Sequence, residues 1–198
     1  MSKTVKLISP IDGSVYIERN CLTRDEAFSA ADRARTAQAA WAARPLQERI
    51  DLVLRANEII GQQTERMATE LAHQMGRPIR YGGEYGGFNE RVSYMAGIAQ
   101  SALAPVEVED SDAFKRQIKR VPHGVVMVVA PWNYPYMTAI NTIAPALMAG
   151  NTVILKHAAQ TLKVGEHLAD AFAAAGVPAD VFQNVVLDHD TQLRASRS

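Results

Sequence analysis

Residues 121–155 form a run of 35 positions without one Asp, Glu, Lys or Arg. The whole chain carries 21 Lys+Arg and 21 Asp+Glu in 198 residues, so a charge-free stretch of that length belongs in an interior, of lipid or of protein. Pro131, Asn133, Pro135, Asn141, Pro145 and Gly150 interrupt it too often for a helix facing lipid, where every backbone polar group needs an internal partner. It reads as the centre of a folded core. No stretch of about 18 uninterrupted apolar residues occurs, so no membrane span is expected.

The hydrophobic period inside and after this run predicts alternating elements. Residues 124–130, GVVMVVA, are a continuous apolar stretch of the kind found in a strand covered on both faces. A helical pattern over 136–149 follows, ended by Gly150 and bent by Pro145. A second strand is read at 152–156, a second helix at 161–175 with Gly176 as its stop and Pro178 beyond, and a third strand at 182–187. Such β-α-β-α-β connections give parallel strands with right-handed crossovers. The fold class is therefore α/β, with N-terminal helices followed by the front βαβαβ part (122–187) of a Rossmann-like domain. No GxGxxG follows either of the first two strands.

The front of the chain, 23–103, reads as helical. Thr23 and Glu26 fit a capping box, and Ala27, Ala31, Ala34, Gln38 and Trp41 follow with helical spacing. Leu46, Ile50, Val53, Leu54, Ile60, Met67 and Leu71 continue one apolar stripe that should stop near Gly76, before Pro78. Gly82, Gly83, Gly86 and Gly87 lack the Lys-Ser/Thr of a phosphate loop and follow no strand, so they read as the start of a helix ending near Leu103.

Composition removes several function classes. A formal net charge of +0 gives no general attraction to nucleic acid or an acidic membrane. One Cys excludes an intrachain disulfide, a Cys-based zinc site and a CxxC pair, and it fits a reducing compartment. The N-terminus has no apolar signal region, so a soluble cytoplasmic protein is expected. The 5 His show no HExxH spacing, and Asp188, His189 and Asp190 are adjacent residues in a polar tail, so no metal is expected. Glu84, Glu90, Glu107 and Glu109 have no recognisable acid/base partner, and Cys21 reads as a bystander before the first helix.

In open parallel sheets, ligands sit beyond the carboxyl ends of the strands. Two positions qualify. Asn133 lies between the first strand and its helix, where a fixed amide could stabilise a developing oxyanion; its plainer role is an N-cap or Asx-turn. Lys156 ends the second strand and could hold a phosphate or ribose; its plainer role is a solvated charge closing a strand.

PWNYP, APALMAGNTVILK and AGVPADVFQNVV together resemble the aldehyde dehydrogenase superfamily, with a collinear match from about Ile8 to Leu187 that includes the Met75-Gly76-Arg77-Pro78 turn. The resemblance implies a cofactor domain, a catalytic domain and a small oligomerisation domain. It implies oxidation of a small-molecule aldehyde to an acid with NAD or NADP, through a Cys thiolate and a Glu-activated water, in a homo-oligomer. On the matching positions, Asn133 donates to the oxyanion, Ala130, Pro131 and Trp132 line the cofactor cleft through their backbone, and Lys156 holds the adenosine ribose. Residues 105–121 resemble the oligomerisation strands.

The departures shape the expectation as much as the match. The FTGS-type turn, the general-base Glu and the nucleophilic Cys of the family do not occur in these residues, so the chain is expected to be the N-terminal portion, without the catalytic domain and inactive alone. His157 and Ala158 stand where many members have a Pro and a small polar residue, and Leu162 replaces a common Pro. Ala159 stands where many NAD-preferring members carry a Glu, which implies tolerance of NADP, with His157 as a possible further donor. The rival reading is a non-catalytic interaction module derived from the fold. Unfinished sheet edges distinguish the first reading from the second.

Overall fold

The structure, a computed structural model, describes residues 3–188. It begins with an element that the sequence reading did not assign. Strands β1 (Thr4–Ile8) and β2 (Val15–Asn20) form an antiparallel hairpin with Leu7 opposite Ile17. The turn is built by Asp12 and Gly13: the Asp12 carboxylate accepts from the Ser14 amide at 3.0 Å and the Ser14 hydroxyl at 2.8 Å, and Gly13 supplies φ +74°. The Asp-Gly pair is the signal that marks this hairpin in the sequence. Leu7 and Ile17 are its inward pair and pack on Leu162.

Helix α1 (Arg24–Ala42) starts at the expected capping box: the Glu26 carboxylate accepts the Thr23 amide at 2.8 Å, and the Thr23 hydroxyl accepts the Glu26 amide at 3.3 Å. The stripe that follows is two helices, α2 (Leu46–Gly61) and α3 (Thr64–Met75), rather than one. The interruption, Gln62 and Gln63, directly follows Gly61, where a Cβ would run into the Tyr85 ring. An apolar stripe with period 3.6 carries no signal of a break this short, because both helices turn the same face inward. Gly76 ends α3 with φ +76°, in the left-handed conformation expected of a helix stop.

Helix α4 (Tyr85–Leu103) begins at the glycine-rich segment, and strands β3 (Val106–Asp110) and β4 (Lys115–Ile118) make an exposed antiparallel hairpin. Then come β5 (Val125–Val129), α5 (Pro135–Met148), β6 (Thr152–Lys156), a short 3-10 turn (Ala159–Thr161), α6 (Leu162–Ala174) and β7 (Phe182–Val185). β5, β6 and β7 form a parallel sheet in that order, as the crossovers require.

The sheet separates two layers. Val126, Val128, Val153 and Leu155 pack with α2, α5 and α6, while Val125, Met127 and Ile154 face the small-residue side of α1 at Ala30 and Ala34. β6, in the middle, is buried along its whole length. β5 is not, which corrects the reading of 124–130 as covered on both faces: it is an edge strand among the described residues, and Val129 is 53% exposed. Val121, Trp132 and Tyr134 within the charge-free run are exposed as well. The far end of α5 is tied down by Trp41, whose indole N–H donates to Leu147 O at 3.0 Å, and by Arg49, which donates to Met148 O at 2.9 Å, to Ala42 O at 3.1 Å and to Arg44 O. No helix among the described residues is long and apolar enough to cross a membrane.

Candidate functional site at the strand ends

Parallel pairing brings the carboxyl ends of β5 and β6 side by side, with Val129 opposite Lys156. The Ala130 amide donates to Lys156 O at 3.1 Å, carrying the ladder one residue past β5 and fixing where the loop departs. Ala130 is buried, Pro131 is half-buried, and Trp132 and Asn133 are exposed.

The Asn133 side chain makes no hydrogen bond among the described residues, so it is neither an N-cap nor an Asx-turn. The position that caps α5 is Tyr134, which provides no side-chain bond, and Pro135 begins the helix. The cap comes from elsewhere. Glu84, on the opposite wall, accepts the Met137 amide at 2.9 Å through Oε2. Its Oε1 accepts from Arg77 at 2.6 Å, and the other Arg77 nitrogen donates to the Asn133 carbonyl at 2.8 Å. The guanidinium also lies 5.1 Å from the centroid of the Tyr134 ring.

This network corrects the expectation that Glu84 has no partner, and sequence reasoning missed both residues. Their signals were an Arg in the turn after Gly76 and an acid isolated among four glycines. Burial pushes the Glu84 carboxyl up, against the downward pull of the Met137 N–H and the Arg77 charge. Arg77, Tyr81, Gly83, Glu84, Tyr134 and Met137 line a cleft of about 540 Å³ beside the Asn133 loop.

Lys156 departs from its plainer role. It is only 8% exposed, no carboxylate pairs with it among the described residues, and burial lowers its pKa. A buried ammonium without a counter-ion is costly, which makes it a receptive partner for an anionic or hydroxyl-rich ligand.

His157 does not extend this polar surface. Its side chain is 2% exposed; Nδ1 accepts from the Ala158 amide and faces the Thr161 hydroxyl, both at 3.0 Å, and Nε2 lies 3.3 Å from Pro135 O. Because Nδ1 accepts a backbone N–H, the ring proton sits on Nε2. Burial, with the neighbouring Lys156 charge, depresses the pKa to about 4. The expectation of a further donor for a 2′-phosphate is thereby corrected: His157 is neutral and turned inward. Ala159, at the start of the 3-10 turn, is exposed.

Cys21 is 4% exposed, and burial pushes its thiol up. Lys156 is among its electrostatic neighbours, so it lies closer to the strand ends than its place before α1 suggested. Of the Asp188-His189-Asp190 triplet, the last two lie outside the described residues.

A parallel βαβαβ sheet with loops and a buried lysine gathered at its carboxyl end defines the class, part of a Rossmann-like α/β domain without the glycine fingerprint. A sequence model described as the Aldehyde dehydrogenase family matches residues 1–195. A D-glyceraldehyde dehydrogenase (NADP(+)) from Thermoplasma acidophilum is 32% identical over 181 residues, covering 90% of this chain and 36% of the relative. An NADP-dependent glyceraldehyde-3-phosphate dehydrogenase from Triticum aestivum is 30% identical over 184 residues, covering 89% of this chain and 37% of the relative. Among solved structures, an NAD-dependent benzaldehyde dehydrogenase from Corynebacterium glutamicum superposes with a TM-score of 0.88 at 29% identity, covering 96% of this chain and 42% of that one. An NADP complex of the NADP-dependent glyceraldehyde-3-phosphate dehydrogenase from Bacillus halodurans gives 0.87 at 28% identity, covering 95% of this chain and 41% of that one. The chain belongs to the aldehyde dehydrogenase family, and it spans a little over a third of the length of the curated relatives it matches.

Proposed function

We propose that this chain forms the cofactor-side wall of an NAD(P)-dependent aldehyde dehydrogenase. The observation that carries the reading is the placement of a buried Lys156 and an Asn133 amide, neither with a side-chain partner among the described residues, at the carboxyl ends of adjacent parallel strands. A nicotinamide dinucleotide supplies the hydride acceptor when bound. On this reading Lys156 meets the hydroxyls or 2′-phosphate of the adenosine ribose, and the backbone of Ala130, Pro131 and Trp132 lines the dinucleotide's path. Asn133 donates its amide N–H to the aldehyde oxygen as negative charge gathers there, a contribution commonly worth about 2.7–4 kcal/mol. Ala159 leaves room for a 2′-phosphate, which supports acceptance of NADP beside NAD. The dinucleotide names of the relatives support the same cofactors.

The nucleophilic half of the reaction lies outside these residues. Cys21 is the only thiol, and its burial keeps it protonated, so the chain alone is inactive on this reading. The exposed hairpin β3–β4, with Val106, Val108, Phe114 and Ile118 uncovered, supports a role in joining copies of the protein. The free outer edges of β5 and β7 among the described residues favour this reading over a self-contained interaction module.

Titrating the purified chain with NADPH and NADH tests the site through energy transfer from tryptophan. Trp132 is exposed beside the strand ends, whereas Trp41 is 1% exposed in the core. The expected result is weak but saturable binding of NADPH that Lys156→Met lowers by about tenfold. Equal binding by wild type and variant, or none by either, overturns the assignment of Lys156.

A further inference from the structure

Asn133 has to aim its amide, yet it stands on an exposed loop, and its side chain makes no bond to the protein among the described residues. We propose that Arg77 and Glu84 are positioning residues for Asn133: from the opposite wall of the cleft they clamp the β5–α5 loop so that the amide is held toward a substrate carbonyl. The inference rests on the aldehyde dehydrogenase reading of Asn133.

Each contact of the clamp fixes a different part of the loop. Arg77 Nη2 donates to the Asn133 carbonyl at 2.8 Å, which sets the peptide plane following the residue to be aimed. The same guanidinium lies against the Tyr134 ring, and Glu84 takes the Met137 amide at 2.9 Å. That amide is in the first turn of α5, where N–H groups lack intrahelical partners, and Tyr134 offers no cap. A carboxylate there also meets the positive end of the helix dipole. The bond between Arg77 and Glu84 at 2.6 Å joins the two ends into one unit, with side chains 15% and 5% exposed.

The partners of this pair mark it as a positioning device. α5 is already held by Ile140, Ile143 and Leu147 in the core. The bonds of the Arg77 and Glu84 side chains go to each other, to the Asn133 carbonyl and to the first turn of α5. Two nearly buried charges carry a desolvation cost that an apolar pair of similar size avoids. Arginine is also the side chain whose planar fork can serve a carboxylate and a carbonyl in fixed directions at once; a lysine keeps the ion pair and loses that geometry.

The test uses Arg77→Lys and Glu84→Ala, first in the 198-residue chain. Arg77→Lys is expected to leave the melting midpoint nearly unchanged while the NMR resonances of Asn133 and Tyr134 shift and broaden. Glu84→Ala is expected to speed hydrogen exchange at the Met137 amide by about tenfold or more, with the β6 amides unaffected. Unaltered loop resonances together with unaltered Met137 exchange overturn the clamp.

The same variants in the protein expressed from the longest reading frame carrying this segment supply the kinetic arm. There Arg77→Lys is expected to lower kcat for aldehyde oxidation about tenfold while the KM for the dinucleotide stays within about twofold. A purely structural pair would lower the yield of folded enzyme and leave kcat per titrated active site intact, and that result overturns the proposal while the functional reading stands. If the unmodified protein oxidises no aldehyde, the functional reading fails, and the exchange experiment alone decides whether Arg77 and Glu84 clamp the loop.

Discussion

Lowering the pH from about 7 to about 4 is expected to cost this fold about 3 kcal/mol through one side chain, His157. The ring is buried under the carboxyl end of β6, its Nδ1 receives the Ala158 amide, and its pKa falls from 6.5 to about 4. Protonation would set an N–H against an N–H in a buried place. In the unfolded chain the same ring takes its proton near 6.5. Between that value and about 4, the unfolded state therefore binds a proton that the native state refuses. Stability rises with pH wherever the unfolded state holds more protons, so His157's contribution is present above 6.5 and lost as the pH falls through about 4. At about 1.4 kcal/mol per tenfold, that interval corresponds to about 3 kcal/mol. His167, also buried and lowered, and bonded to Tyr136 Oη at 2.6 Å, tilts the curve in the same direction.

A variant separates the two histidines. His157→Asn keeps an acceptor near the Nδ1 position and removes the titration, at an expected cost of about 1–3 kcal/mol at neutral pH for the lost Pro135 contact and ring packing. Urea denaturation of wild type and variant across this range measures both slopes. The gap between them should narrow steadily below about pH 6.5, close where the titration has offset the neutral-pH cost, and reverse below that point if the cost is under about 3 kcal/mol. Two parallel curves would refute the argument, because the slope would then owe nothing to position 157.

The remaining predictions address the site and its frame. The chain alone should show no aldehyde dehydrogenase or esterase turnover, since its one thiol is buried and protonated; turnover above a blank that persists in Cys21→Ser would contradict this. In a complete enzyme carrying these residues, Ala159→Glu should move the kcat/KM ratio toward NAD. Like charges about 4 Å apart cost about 4 kcal/mol at an effective dielectric near 20, and the exposure of position 159 screens this to about 1–2 kcal/mol, roughly tenfold in the ratio. An unmoved ratio would remove the electrostatic account of that position. Arg49→Met should lower stability by about 3 kcal/mol by orphaning the carbonyls of Ala42, Arg44 and Met148, and a chemical-denaturation midpoint matching wild type would show that those carbonyls find other partners.

What the sequence by itself determined is local and periodic. The capping box at Thr23 and Glu26, the glycine stops at Gly76 and Gly176, and the alternation that builds β5, α5, β6, α6 and β7 depend on neighbours within a turn or a strand. Asn133 and Lys156 could be singled out for the same reason: one lies in the loop just after a strand and the other ends a strand, both patterns were clear, and parallel crossovers bring such ends together. Only the tertiary structure decided what surrounds each. Burial and the absence of an acidic partner among the described residues separate Lys156 from a solvated surface lysine, and both depend on what packs around the end of β6. His157 turned from a surface donor into a neutral buried ring because its loop folds back under Pro135. β5 is half uncovered because strand order, not strand composition, fixes which strand stands at an edge. Met137 lies 53 positions from the carboxylate that takes its amide, and Asn133 lies 56 from the guanidinium that holds its carbonyl. Periodicity reads one element at a time, whereas bonds of that span exist only once the helices have packed.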